Sequence, residues 1–319
     1  MKQPFVLAIV GPTASGKTPA SLLLAERLNG EIISADSRQI YKYLDIGTAK
    51  PTRAERRRVK HYFVDMLEPD EEYSGGRFGK EARGVVENVL KRGKLPILVG
   101  GSGLYVKSVV DGLFEGPGKD PEVRARLEEQ LAREGVKSLF EALKKVDASA
   151  AARMTEVKPR QVIRALEVYY ITGKPISEFH AEQETKPDFR AIQVGLKWER
   201  EELYNRINQR VDRMISKGLV EEVRGLRIKG YDRRLNALNT VGYREVFDYL
   251  EGLCNLGDTI ALMKQNTRRF AKRQLTWFRA DKRIRWVPMP RTKTLSEAAR
   301  EIEEIFERHQ RREMGQNAR

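Results

Sequence analysis

Eight consecutive residues, Gly11-Pro12-Thr13-Ala14-Ser15-Gly16-Lys17-Thr18, satisfy the spacing G-x-x-x-x-G-K-[ST] in full. Glycines at those places let backbone N–H groups close around phosphate oxygens, and the helix N-terminus that follows adds partial positive charge. Lys17 neutralises anionic oxygens directly. Thr18 offers a hydroxyl to Mg²⁺, whose octahedral preference suits oxygen ligands shared with phosphates. A nucleoside triphosphate is the default ligand of such a loop. Pro19 does not weaken the reading, because a first helical turn tolerates proline's missing N–H. Two other polar stretches could join this chemistry, Ala35-Asp36-Ser37 and Gly100-Gly101-Ser102-Gly103. Asp36 is either a general base or the cap of the next turn, and Ser102 either contacts a phosphate or satisfies its own turn. Phosphoryl-transferring loops of this kind are normally accompanied by an apolar strand ending in Asp, which holds the metal. Here the run Leu95 to Val99 ends in Gly100, the only substitute is Phe63-Val64-Asp65, and no arginine-bearing lid is evident. That pattern disfavours an ordinary nucleotide kinase.

These residues need elements that bring them together. Phe5 to Val10 is a buried strand broken by Gly11-Pro12, and a helix follows from Lys17. Glu31 to Ser34 and Leu95 to Val99 are further strands, each leading into one of the polar stretches. Strands alternating with helices imply an α/β fold with a parallel sheet, in which ligands lie beyond the carboxyl ends of the strands, so the three endings should converge. The strand pattern stops around Glu115-Gly116-Pro117-Gly118. Residues 119–189 read as a helical insertion, opening at Asp120-Pro121 with an N-cap and a favourable proline. Within it Pro159 starts a helix with an apolar stripe, Val162, Ile163, Leu166, Tyr169 and Tyr170, closed by Gly173. Ala191 to Leu196 returns as a strand. Glu199 to Lys229, Thr240 to Glu251, Asp258 to Phe278 and Ser296 to Arg319 read as helices. The core is thus 1–118 with 190–319, a phosphate-loop α/β unit with a basic helical carboxyl-terminal region.

The chain has 319 residues, 40% of them hydrophobic and 33% charged, with no apolar run of the roughly 18 residues that a membrane helix needs. Phe5 to Val10 follows Lys2 but leads into the phosphate loop instead of a cleavage site, so export is not expected. Cys254 is the single cysteine, which excludes a disulfide framework or thiolate zinc cluster and fits a reducing cytosol. His61, His180 and His309 lie at no metal-ligand spacing. A formal charge of +15 points to a polyanionic partner, nucleic acid first. Between Lys264 and Lys293 there are eleven Lys or Arg against one acid, Asp281. Without compensating acids such a density repels itself, which favours RNA binding over a merely solvated helix face. Phe270, Trp277 and Phe278 are compatible with one helix face and are expected to pack in the core; Trp286 lies nearby.

Taken together the motifs closely resemble the tRNA dimethylallyltransferase family, also called tRNA isopentenyltransferases, over nearly the whole chain. They are GPTASGKT at Gly11, ISADSRQIYKYLDIGTAKP from Ile33 to Pro51, LVGGSGLYVK from Leu98, RQVIRALEVYYITGKP from Arg160, TVGYRE from Thr240 and RRFAKRQLTWFR from Arg268. Ser102 stands where the family usually has threonine, and Thr155-Glu156-Val157-Lys158 replaces a more usual His-Pro-Asn-Asp turn. The resemblance implies transfer of a dimethylallyl group from dimethylallyl diphosphate to N6 of the adenosine just 3′ of the anticodon, in tRNAs that read codons beginning with U. The loop would then hold a departing diphosphate at Gly11, Thr13, Ala14, Ser15, Gly16, Lys17 and Thr18, with Mg²⁺ assisting through Thr18 and Arg210 reaching the same diphosphate. Asp36 would be the general base and Ser102 a hydroxyl that contacts the adenosine. Contacts to the tRNA anticodon stem-loop would come from Asp36, Ser37, Arg38, Gln39, Ser102, Arg124, Arg160, Gln161, Arg164, Gly242, Arg244, Lys272, Arg273, Gln274 and Trp277. Rival readings are an isopentenyltransferase acting on free adenine nucleotides, which would not need the basic stretch, a P-loop nucleotide kinase, and a non-catalytic RNA-binding switch.

Overall fold

A computed structural model describes residues 3–112, 116–118, 120–182 and 187–315. In chain order the elements are β1 (Phe5–Val10), α1 (Lys17–Arg27), β2 (Gly30–Ser34), α2 (Arg53–Arg58), β3 (His61–Tyr62), α3 (Gly75–Lys91), β4 (Leu95–Gly100) and α4 (Gly103–Val110). Then come α5 (Pro121–Val146), α6 (Ala148–Ala152), α7 (Pro159–Thr172), α8 (Ile176–Glu182), β5 (Arg190–Lys197), α9 (Arg200–Ser216) and α10 (Leu219–Ile228). The chain closes with α11 (Tyr243–Leu250), α12 (Leu256–Ala280), β6 (Arg285–Pro288) and α13 (Leu295–Gly315); residues 316–319 of the expected last helix lie outside the described residues.

The six strands form one parallel sheet in the order β3-β2-β4-β1-β5-β6. β1 lies inside it and is apolar throughout because it is covered on both faces. Val6, Ala8 and Val10 enter the cluster built with α3, α4, α10, α11 and α12, while Leu7 and Ile9 enter the one built with α1 and α13. In register, Val10 lies opposite Gly100 and Gly195, and Ser34 opposite Val99. The carboxyl ends of β1, β2 and β4 are therefore level, and the three polar stretches leave the sheet side by side. Helices α5 to α7 enclose a hydrophobic cluster of their own around Leu127, Leu139, Leu143, Val162 and Leu166.

Several expectations are corrected. Glu199 to Lys229 is two helices, because Gly218 adopts φ +94 and so cannot continue α9. The helix expected from Thr240 begins at Tyr243, after Gly242 at φ +98. β3, α2, α3 and β6 are elements that the sequence patterns did not single out. In α3 the glycine-rich start hides a helix capped by Ser74, whose hydroxyl accepts from Arg77 N–H; a Cβ on Gly79 would come within 2.8 Å of Ser108.

Candidate active site

The phosphate loop is shaped by backbone that only small residues adopt easily. Gly11 lies at φ +134, Gly16 at +94, and Ala14 at +62, a left-handed conformation that costs an L-residue about 1 kcal/mol. Donors outside the loop hold that conformation: Arg206 Nε donates to the Ala14 carbonyl (2.9 Å) and Trp198 Nε1 to the Ser15 carbonyl (2.8 Å). The Arg206 guanidinium stacks on the Trp198 ring at 4.1 Å, which joins the two braces. Ser15 Oγ is fully buried and has no hydrogen-bond partner among the described residues, a rarity for a buried hydroxyl. Lys17 donates through Nζ to the Pro12 carbonyl (2.6 Å). Burial and the nearby Arg210 push the Lys17 ammonium down to about 7, against a smaller opposing pull from Asp36. Arg210 is likewise lowered by burial, with Asp36 opposing, and donates to the Thr48 carbonyl (3.3 Å). Both side chains are thus partly desolvated, and both feel the charge of Asp36 at the carboxyl edge of the sheet.

Asp36 uses one oxygen to cap its turn, with Oδ1 accepting from Arg38 N–H (2.9 Å) and Gln39 N–H (3.4 Å). Among the described residues no hydrogen bond reaches Oδ2. The turn cap therefore occupies one oxygen and leaves the other without a hydrogen bond among the described residues, so the two alternatives that the sequence left open are compatible. Ser102 ties this turn to β4: its Oγ accepts from Ser37 N–H (3.0 Å), and its N–H donates to the Ala35 carbonyl (3.2 Å). The two chains run so close that a Cβ on Gly100 would lie 2.0 Å from the Ala35 oxygen. An aspartate at the end of β4 is therefore sterically excluded, and Asp65, the substitute, is occupied by Lys50 and by Arg56 (2.6 Å). No group of three or more His, Cys, Asp or Glu able to hold a metal exists among the described residues. Were Mg²⁺ to bind here, the Thr18 hydroxyl would be the donor, and one hydroxyl suffices for an ion that keeps waters and binds chiefly through phosphate oxygens.

The family profile described as IPP transferase matches residues 39–281. A tRNA dimethylallyltransferase of Pelotomaculum thermopropionicum is 47% identical over 94% of this chain and 96% of that protein. The chain belongs to the IPP transferase family. A solved tRNA isopentenylpyrophosphate transferase of Bacillus halodurans superimposes with a TM-score of 0.74 at 38% identity, covering 100% of both chains. A eukaryotic dimethylallyltransferase acting on tRNA gives 0.73 at 29% identity, covering 89% of this chain and 74% of that one.

Within this IPP transferase the residues expected to touch RNA divide into two groups. Arg160, Gln161, Arg244, Lys272, Arg273 and Trp277 are exposed, whereas Ser37 and Arg38 are half-buried, with Ser37 N–H donating to Ser102 and the Arg38 guanidinium to the Asn236 carbonyl (2.6 Å). Trp277 is 49% exposed and lies over Gly103, where a Cβ would be 2.2 Å from the indole. The others are engaged inside the protein. Arg164 donates to Glu167 (2.7 Å) and to the Pro117 carbonyl (2.8 Å), and Arg124 approaches the same fully buried Glu167 at 3.4 Å. Gln39 binds the carbonyls of Thr48 and Ala49 (3.3 Å each), Gln274 is buried between two loops, and Gly242 is buried as the N-cap of α11. Nor is the basic stretch uncompensated, since Lys264 pairs with Asp212, Arg283 with Asp111 and Asp281, Arg291 with Glu202 and Lys293 with Glu301. Apart from Asp281, the acids come from other elements, out of view of a thirty-residue window. The aromatics are corrected as well: Phe278 is buried, whereas Phe270 and Trp277, seven residues apart on another helix face, are exposed. Sequence reasoning missed Trp198, Arg206 and Glu167; only Arg206 left a signal, four residues before Arg210 on the same helix.

Proposed function

We propose that this chain transfers the dimethylallyl group of dimethylallyl diphosphate to N6 of the adenosine adjacent to the anticodon in tRNAs reading codons that begin with U, releasing diphosphate. Membership of the IPP transferase family supports prenyl transfer, and the names of the relatives support a tRNA acceptor. The observation that carries the reading is the pair Lys17 and Arg210 set against Asp36, with no second carboxylate where phosphoryl transfer needs one.

The chemistry follows from those groups. Adenine N6 is a weak nucleophile because its lone pair is delocalised into the ring. Asp36 Oδ2 accepts an N6 proton as the N–C bond to the allylic carbon forms and that carbon's bond to the diphosphate oxygen breaks, a role worth roughly 10² to 10⁴-fold. Lys17, Arg210 and the free N–H groups at the start of α1 take up charge on the departing diphosphate. Mg²⁺ held through Thr18 would supply further neutralisation of that charge. The target base must be turned out of its stack, at roughly a few kcal/mol, and the exposed Lys272, Arg273 and Trp277 are placed to offset this by phosphate contact and stacking. Ser102, already bound to the turn of Asp36, supplies a hydroxyl that contacts the adenosine in this reading.

Incubation with labelled dimethylallyl diphosphate and either bulk tRNA or AMP tests the proposal. Label is expected in tRNA; label confined to AMP overturns the acceptor, and γ-phosphate transfer from ATP overturns prenyl transfer altogether.

A further inference from the structure

Gln274 lies on α12 among cationic residues, yet its side chain turns away from solvent and is only 8% exposed. Its Oε1 accepts from Thr13 N–H of the phosphate loop (2.9 Å), and its Nε2 donates to the Gly101 carbonyl (2.9 Å). The fit is tight, because a Cβ on Gly101 would stand 2.4 Å from Nε2. The next residue, Ser102, accepts from Ser37 N–H, beside Asp36. One amide therefore connects the loop that holds the diphosphate with the loop that holds the turn of the carboxylate. One helical turn further on, Trp277 covers Gly103 and presses α12 onto the same segment.

We infer that Gln274 is a positioning residue that sets the separation between the diphosphate cradle and Asp36, so that the acceptor amine attacks the allylic carbon in preference to water. The inference rests on the prenyl-transfer reading. An allylic diphosphate in a loosened site has an alternative fate. Water adds through its oxygen to the allylic carbon, the bond from that carbon to diphosphate breaks, and the extra proton passes to Asp36 or solvent, giving dimethylallyl alcohol and diphosphate. A displacement of about 1 Å between reacting groups is enough to lower a rate up to a hundredfold, while each substrate still binds its own loop. Loss of the Gln274 link should therefore appear in kcat and in the ratio of alcohol to prenylated tRNA, and not in either KM.

The test uses Gln274→Met, which keeps the volume and removes both hydrogen bonds, and Gly101→Ala, which displaces the same amide from the opposite side. Both are assayed as full-length protein with dimethylallyl diphosphate and tRNA, with thermal melting as a control. Expected are a fall in kcat of about tenfold or more, KM values for both substrates within about threefold, and a several-fold rise in the alcohol fraction. If one variant fails to fold, the other gives the same split. Wild-type kcat and alcohol fraction in a folded variant overturn the inference, as does a raised KM for tRNA at unchanged kcat, which marks a direct RNA contact instead. If the wild-type protein prenylates no tRNA, the proposed function is what fails.

Discussion

The phosphate loop and the basic helix α12 both announce themselves in the sequence by residue type and spacing, but the fold treats them differently. In the loop the polar groups are left with few protein partners: among the described residues Ser15 Oγ has none, and Lys17, lowered by desolvation, has the Pro12 carbonyl on its Nζ. In the basic stretch four of the eleven charges that the composition selects, Lys264 on α12 and Arg283, Arg291 and Lys293 beyond it, are already paired with Asp212, Asp111, Glu202 and Glu301. A motif that works through its own backbone can be read locally. A patch that works through net charge cannot, because its compensating acids arrive from distant parts of the chain.

The largest effect that separates the two regions belongs to Asp36. Asp36→Ala should lower the single-turnover rate by roughly 10² or more with tRNA affinity within a few-fold. Asp36→Asn divides the two jobs of the residue: its amide oxygen can still accept from Arg38 N–H, so the turn survives while the base is lost. Both variants are therefore expected to be equally slow in rapid-quench assays. A rate for Asp36→Asn near wild type would reduce the carboxylate to a turn cap and remove the general base from the proposal.

The same contrast explains what could be read in advance. β1 and β4 were legible as continuous apolar runs between glycine and polar breaks, and β2 and β5 as short, largely aliphatic runs that also carry polar side chains, among them Glu31 and Gln193. β3 has two residues and β6 begins at Arg285, so each depends on a neighbouring strand for its identity. The convergence of Lys17, Asp36 and Ser102 followed from sheet topology alone. Glu167 did not, since it interrupts an apolar stripe and its partner Arg124 lies 43 positions away. Gln274 is an RNA contact only by the resemblance, which takes it together with its exposed neighbours; its partners are 261 and 173 positions distant. Side chains that bridge elements leave no period or spacing behind.

Arg164 and Arg273 sharpen the comparison by opposite signatures. Among the described residues Arg164→Ala leaves the buried Glu167 with only the longer contact from Arg124, and should destabilise the protein by about 1 to 3 kcal/mol in denaturant titration. Arg273→Ala should leave stability unchanged and flatten the dependence of log affinity for tRNA on log salt by about one unit at most. Identical salt slopes and melts for the two variants would erase the distinction between arginines that build the protein and arginines that meet its partner.

The smallest effect is a proton. With its ammonium lowered to about 7, Lys17 is mostly neutral in the free protein at pH 8 and mostly charged at pH 6. A bound diphosphate favours the charged form and raises that value, so binding at pH 8 must draw a proton onto Lys17, whereas at pH 6 the proton is already there. Pyrophosphate carries its own titration, which is removed by comparison with Lys17→Arg, a side chain that stays charged throughout. Calorimetry in buffers of different ionisation enthalpy should show wild-type protein taking up more protons than Lys17→Arg at pH 8, by an amount approaching one, and a difference near zero at pH 6. Equal uptake at both pH values would mean that Lys17 enters the complex already charged, and that its desolvation contributes nothing to the cradle.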